Sequence, residues 1–172
     1  MALDPELMKL LETTRAPMSI ADATADDCPL LAVNHEFEVL TGYRKTEVLG
    51  RNCRFLQNGD DQSDQREILR SAIRDRTEAQ VVLRNTRKNQ ESFLNLLFLF
   101  PIFDGQVCKF FLGSQFALEG PDLERHTSER ADYLTRALDR IKSQRQVLLK
   151  EKRKIISDAA ASTVRSYFSR LK

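Results

Sequence analysis

Residues Phe93 to Phe103 read FLNLLFLFPIF, an apolar run interrupted by one amide, Asn95. The run is too short to cross a bilayer, which takes roughly twenty apolar residues in a helix. Asp104-Gly105 follows, a dipeptide suited to a type I′ hairpin turn, and QVCKFFLGSQFAL resumes beyond it as a second strand. Ahead of the run, AQVVLRNTRK partly alternates and RKNQES supplies a turn. Three strands in an antiparallel meander are therefore expected. They end at Glu119-Gly120-Pro121, because proline cannot continue a ladder.

Upstream, APMSIADATADDCPLLAVNHEF reads as two short strands around a polar turn. Short helical pieces follow from His35 to Gln57, broken by Gly42 and Gly50. SDQREILRSAIRDR sets Ile68, Leu69, Ala72 and Ile73 at helical spacing, with Ser63 as the expected cap. DPELMKLLETT opens with Asp4 as N-cap and Pro5 at the first helical position.

From Asp122 onward there is no Gly or Pro. Leu134, Leu138, Ile141, Leu148, Ile155 and Ala159 share a helical seam interrupted by Arg145 and Lys152. Val164, Tyr167, Phe168 and Leu171 make a second stripe. Two or three helices with a break near Ser157-Asp158 are expected, their stripes covered by the sheet or by a second copy of the chain.

Net charge is only +2, so no global attraction to nucleic acid or membrane follows. Residues 121–172, however, carry thirteen Lys/Arg against seven Asp/Glu. The stretch KEKRK, with Lys150, Lys152, Arg153 and Lys154, keeps a DNA-binding, helix-turn-helix-like extension open as an alternative output. Three cysteines without C-x-x-C spacing point to free thiols in a reducing compartment. MALDPELMKLLETTRA is acidic and lacks the long apolar core of a signal peptide. A cytoplasmic location is the expectation.

The chemistry concentrates on GRNCRFLQ, Gly50 to Gln57. Cys53 reads either as an apolar filler or as a nucleophile favoured by Arg54. A Cys–His enzyme would need His35 or His126 as its base. Asn85, Asn95 and Gln115 sit among apolar strand residues. They either bond one another and the backbone or hold a flat polar ligand. Arg54 and Arg70 suit either a phosphate or ordinary ion pairs.

GRNCRFLQ resembles the signature of light-oxygen-voltage (LOV) domains, the flavin-binding photosensory branch of the PAS superfamily. NHEFEVLTGYRKTEVLGRNCRFLQ, LRNTRKNQESFLNLLFLFPI and FFLGSQ extend the resemblance over residues 18 to 118. It implies an α+β PAS/LOV fold with a five-stranded antiparallel sheet and short helices. The implied domains are an N-terminal amphipathic helix (1–17), the LOV domain (18–118) and a helical extension for output or dimerisation (119–172).

By the same resemblance Cys53 is the photoactive cysteine, forming a reversible adduct with flavin C4a. Asn52, Arg54 and Gln57 contact the cofactor, with Arg54 and Arg70 on its phosphate. Asn85 and Asn95 bond the pyrimidine edge, and Gln115 lies near N5 and O4. Leu97, Leu99 and Phe111 belong to the apolar wall. The short connection NGDDQSD favours FMN over FAD, and Phe93 stands where related domains often carry tryptophan. The resemblance implies a blue-light photoreceptor rather than an enzyme. Gln115 would signal to the extension, changing homodimer association or the binding of a downstream protein, with no membrane role.

Overall fold

A computed structural model describes residues 3, 5–57, 59, 62–118 and 144–170. Helix α1 (Pro5–Thr13) leads into β1 (Met18–Asp22) and β2 (Leu30–Val33). Then come α2 (His35–Thr41), α3 (Lys45–Val48), a 3-10 helix (Cys53–Gln57) and α4 (Ser63–Asp75). Strands β3 (Ala79–Thr86), β4 (Ser92–Asp104) and β5 (Val107–Leu118) precede the long α5 (Gln144–Arg170). The strands form one antiparallel sheet in the order β2-β1-β5-β4-β3. The architecture is the expected α+β fold, a five-stranded antiparallel sheet with short helices.

Local chemistry explains the breaks between the short helices. Asn34 caps α2 by accepting from the Phe37 amide, and Gly42 ends that helix at φ 75°, where a side chain would be strained. Backbone bonds from Leu30 to Arg51 and from Gly50 to Leu30 pin the start of GRNCRFLQ against β2. Phe37, Val48, Leu56, Leu30 and Val33 then close a small core beneath the short helices.

Three expectations are corrected. Ser63 is the first residue of α4 rather than its cap; the preceding residue is Gln62, which makes no side-chain cap bond. Its amide is used elsewhere, donating to the Arg84 carbonyl at 2.9 Å and accepting from the Arg84 amide at 2.5 Å, so it ties α4 to β3. The hairpin turn is Gly105-Gln106 between the paired Asp104 and Val107. Only Gly105 of that pair has positive φ, at 63°, the pattern of a II′ rather than a I′ turn.

The third concerns the extension. α5 runs unbroken through Ser157-Asp158, and its sheet-facing residues are Ser157, Ala161 and Val164. Ile155 and Ala159 of the expected seam are exposed, Ile155 at 65%. Small side chains let the helix approach closely a sheet face made of Phe98, Phe100, Leu112 and Phe110. The larger isoleucines are turned outward. Lys154 and Arg165 lay their cations over Phe100 at 5.8 Å each. Asp4, Leu134, Leu138, Ile141, His126 and the Gly120-Pro121 boundary lie outside the described residues, as do the side chains of Arg145, Leu148, Lys152, Tyr167, Phe168 and Leu171.

Candidate functional site

Alternation along the strands sorts the sheet into two faces. On β4, Leu94, Leu96, Phe98, Phe100 and Ile102 pack into the core shared with α1 and α5. Asn95, Leu97 and Leu99 face the other way, into a cavity of about 410 Å³. The register extends that face sideways: Leu97 lies opposite Gln115, Asn95 opposite Leu83, and Ser19 opposite Gly113. The 3-10 helix and α4 supply the facing wall.

All eleven residues singled out in the sequence line this one cavity: Asn52, Cys53, Arg54, Gln57, Arg70, Asn85, Asn95, Leu97, Leu99, Phe111 and Gln115. They are contributed by five separate segments of the chain. The alternatives left open in the sequence now divide. Asn95 Nδ2 donates to Gln115 Oε1 at 3.4 Å, and Gln115 Nε2 donates to Ser19 Oγ at 3.3 Å. Mutual bonding therefore accounts for part of the amide set. The oxygens Asn85 Oδ1 and Asn95 Oδ1 are buried without a hydrogen-bond partner. Two orphaned acceptors on one wall fit a flat ligand edge that brings its own N–H donor.

At the polar end, Asn52 bonds the Asp27 carbonyl through Nδ2 and accepts from the Arg54 amide at 2.9 Å through Oδ1. Arg54 pairs with Asp27 at 2.5 Å, and Arg70 with Glu67 at 3.4 Å. Among the lining residues that escaped sequence reasoning are Arg66, Ser19 and Cys28. Arg66 donates through Nε to Gln57 Oε1 at 3.0 Å. Its signal was present, since it lies one helical turn before Arg70 on the same face of α4. Ser19 follows from β1 alternation once the register to Gly113 is known.

Cys53 is half-buried and lines the cavity, and desolvation pushes its thiol up to about 12. The neutral S–H is therefore the resting form. Stability is therefore unaffected by this thiol below pH 9 and falls as pH climbs toward 12, where the unfolded chain ionises it and the folded one does not. Iodoacetamide labelling of Cys53, followed by peptide mass, is expected to stay far slower than that of a free thiol from pH 6 to 8, while its rate rises about tenfold per pH unit with the thiolate fraction. Labelling as fast as a free thiol would contradict the protonated assignment.

His35 does not approach this thiol. It opens the exposed side of α2, with its amide donating to Glu12 and its ring 3.9 Å from Glu38, and it does not line the cavity. The Cys53–His35 dyad is thereby removed.

This cavity, framed by an antiparallel sheet and short helices, defines the PAS class, and a model of the PAS domain matches residues 17–115. The chain belongs to the LOV branch of that superfamily. It is similar to a solved LOV protein of Rhodobacter sphaeroides at 36% identity, with a TM-score of 0.65, over 96% of this chain and 97% of that one. It is also similar to a blue-light photoreceptor of Listeria monocytogenes, 38% identical over 63% of this chain and 43% of the relative. A blue-light-activated histidine kinase of Erythrobacter litoralis is 39% identical over 65% of this chain and 35% of the relative. The chain thus spans less than half the length of these two curated relatives. Among the described residues, no helix is long and apolar enough to cross a membrane.

Proposed function

We propose that the chain is a blue-light photoreceptor that binds FMN in this cavity and signals through α5. The observation that carries the reading is the convergence of a half-buried, protonated thiol, two orphaned amide oxygens and a cluster of arginines on one cavity. When bound, the flavin would supply blue-light chemistry that makes and unmakes a bond to the Cys53 thiol, taking up its sulfur and proton together and returning both in darkness. The role of Cys53 is to hold S–H beside the ring, and proximity substitutes for a resting thiolate. Asn85 and Asn95 bond the imide edge, while Leu97, Leu99 and Phe111 exclude water from the ring. Arg54, Arg66 and Arg70, with Asn52 and Gln57, hold the ribityl phosphate.

Gln115 reads the change at N5 because its amide can present either an oxygen or an N–H. The neighbouring Ser114 faces the opposite side of the sheet, where Ser157 of α5 donates to it at 2.8 Å and both side chains are fully buried. Arg153 of α5 also donates to the Ala117 carbonyl at 3.4 Å. These contacts support a route from the cavity through β5 to the helix. In this reading residues 1–17 flank a sensor at 18–118, and 119–172 form the output, a light-dependent homodimer contact or a surface for a downstream protein in the cytoplasm. The sensor does not itself turn over a substrate.

DNA binding through KEKRK is disfavoured by what two of its cations already do. Arg153 packs over Phe116 at 5.7 Å, and Lys154 is paired with Asp158 at 3.1 Å. Gln115→Leu is expected to bleach normally in blue light yet lose most of the light-driven change in α5, read by small-angle scattering or molar mass in dark and light. An undiminished change in that variant would break the proposed route.

A further inference from the structure

Ser19 is the only hydroxyl-bearing side chain lining the cavity among the described residues. It lies on β1 with 6% exposure, and its Oγ accepts from Gln115 Nε2 at 3.3 Å. Gly113 stands opposite it in the β1–β5 register, and a Cβ there would be 2.7 Å from Ser19 Oγ. The glycine therefore keeps open the seat that the hydroxyl occupies. At its other end the same Gln115 amide accepts from Asn95 Nδ2 at 3.4 Å.

We propose that Ser19 is a positioning residue for Gln115, the partner that stays bonded whichever end of the amide faces it; this rests on the flavin-adduct reading above. The two neighbours of the amide differ in kind. Asn95 Nδ2 can only donate, so it pairs with Oε1 and opposes Nε2 when the amide turns over. The Ser19 hydroxyl accepts from Nε2 in one orientation and donates to Oε1 in the other, by rotating a single O–H bond. Asn95 thus selects the dark orientation, and Ser19 accommodates both. Midway through the turn the Asn95 bond is broken, and Ser19 remains as the hydroxyl able to follow the amide. Its loss is felt most at that point, which slows the turn in both directions.

The test uses the flavin-loaded full chain. Ser19→Ala and Ser19→Val are expected to return from blue light about fivefold more slowly, the rate factor of one neutral hydrogen bond. Ser19→Thr, the isostere of valine that keeps a hydroxyl, should stay within about twofold of the parent. Gly113→Ala, which crowds the hydroxyl, should slow the return as well, and the double variant with Ser19→Ala should be no slower than either alone. A second readout is the side-chain amide resonance of Gln115 in protein kept dark, expected to move in the Ala and Val variants and hold in Thr. Equal return rates and equal amide shifts for Thr and Val would overturn the proposal, leaving only side-chain size. A parent chain that never bleaches reversibly would defeat the photoreceptor reading instead, and the amide resonance would still decide the Ser19–Gln115 contact.

Discussion

Asn34→Ala is expected to destabilise the fold by roughly 3–5 kcal/mol, the cost of unpairing several buried polar groups at once. The side chain is fully buried between α1, β1 and α2. Its Oδ1 accepts from the amides of Met18 at 2.9 Å and Phe37 at 3.1 Å. Its Nδ2 donates to the carbonyls of Leu11, Thr14 and Ala16 at 3.3, 3.1 and 2.8 Å. Phe37 also donates to the Asn34 backbone, and Leu11 also accepts from Thr14, so these two keep partners. The Met18 amide and the Ala16 carbonyl lose the partner this amide supplies. Asn34→Asp does not rescue, because it sets a second oxygen against three carbonyls. Chemical denaturation measures the loss; a change below about 1 kcal/mol would mean that backbone rearrangement replaces the bonds.

The second large effect is on cofactor choice. Arg54→Ala combined with Arg70→Ala should weaken FMN binding by roughly a hundredfold or more, since charge-assisted bonds to phosphate are each worth about 1.5–3 kcal/mol. Riboflavin, which has no phosphate, should bind the variant and the parent nearly alike. In the parent these arginines are paired with Asp27 and Glu67 on the exposed rim, partners a dianionic phosphate would outbid. Titration of the two flavins by fluorescence quenching gives the ratio directly. A parallel loss for both flavins would show that the arginines shape the cavity rather than read the phosphate.

Much of this was legible in the sequence because the signals are local. GRNCRFLQ supplies four of the eleven cavity residues and the amides within apolar strands three more, while Arg70, Leu97, Leu99 and Phe111 entered through the resemblance that these motifs carry. Ser19 and Arg66 were not legible alone, for each depends on a neighbour: Ser19 on the β1–β5 register, Arg66 on which face of α4 meets the 3-10 helix. Asn34 gives no sign of its role, because its five partners are backbone groups up to 23 residues away.

α5 misleads for a physical reason. A pattern of large apolar residues points to Ile155, whereas close packing on an aromatic sheet face selects Ser157, Ala161 and Val164. The hydroxyl of Ser157 looks like a surface residue until Ser114 is seen across from it.

The most direct test of the central claim is an absorption spectrum of the purified chain before and after blue light, for the parent and for Cys53→Ala. The account predicts that the parent carries flavin, bleaches near the blue flavin band and recovers in darkness. Cys53→Ala should keep the flavin and show no such reversible bleach. A bleach in Cys53→Ala that recovers with the parent's kinetics would contradict it.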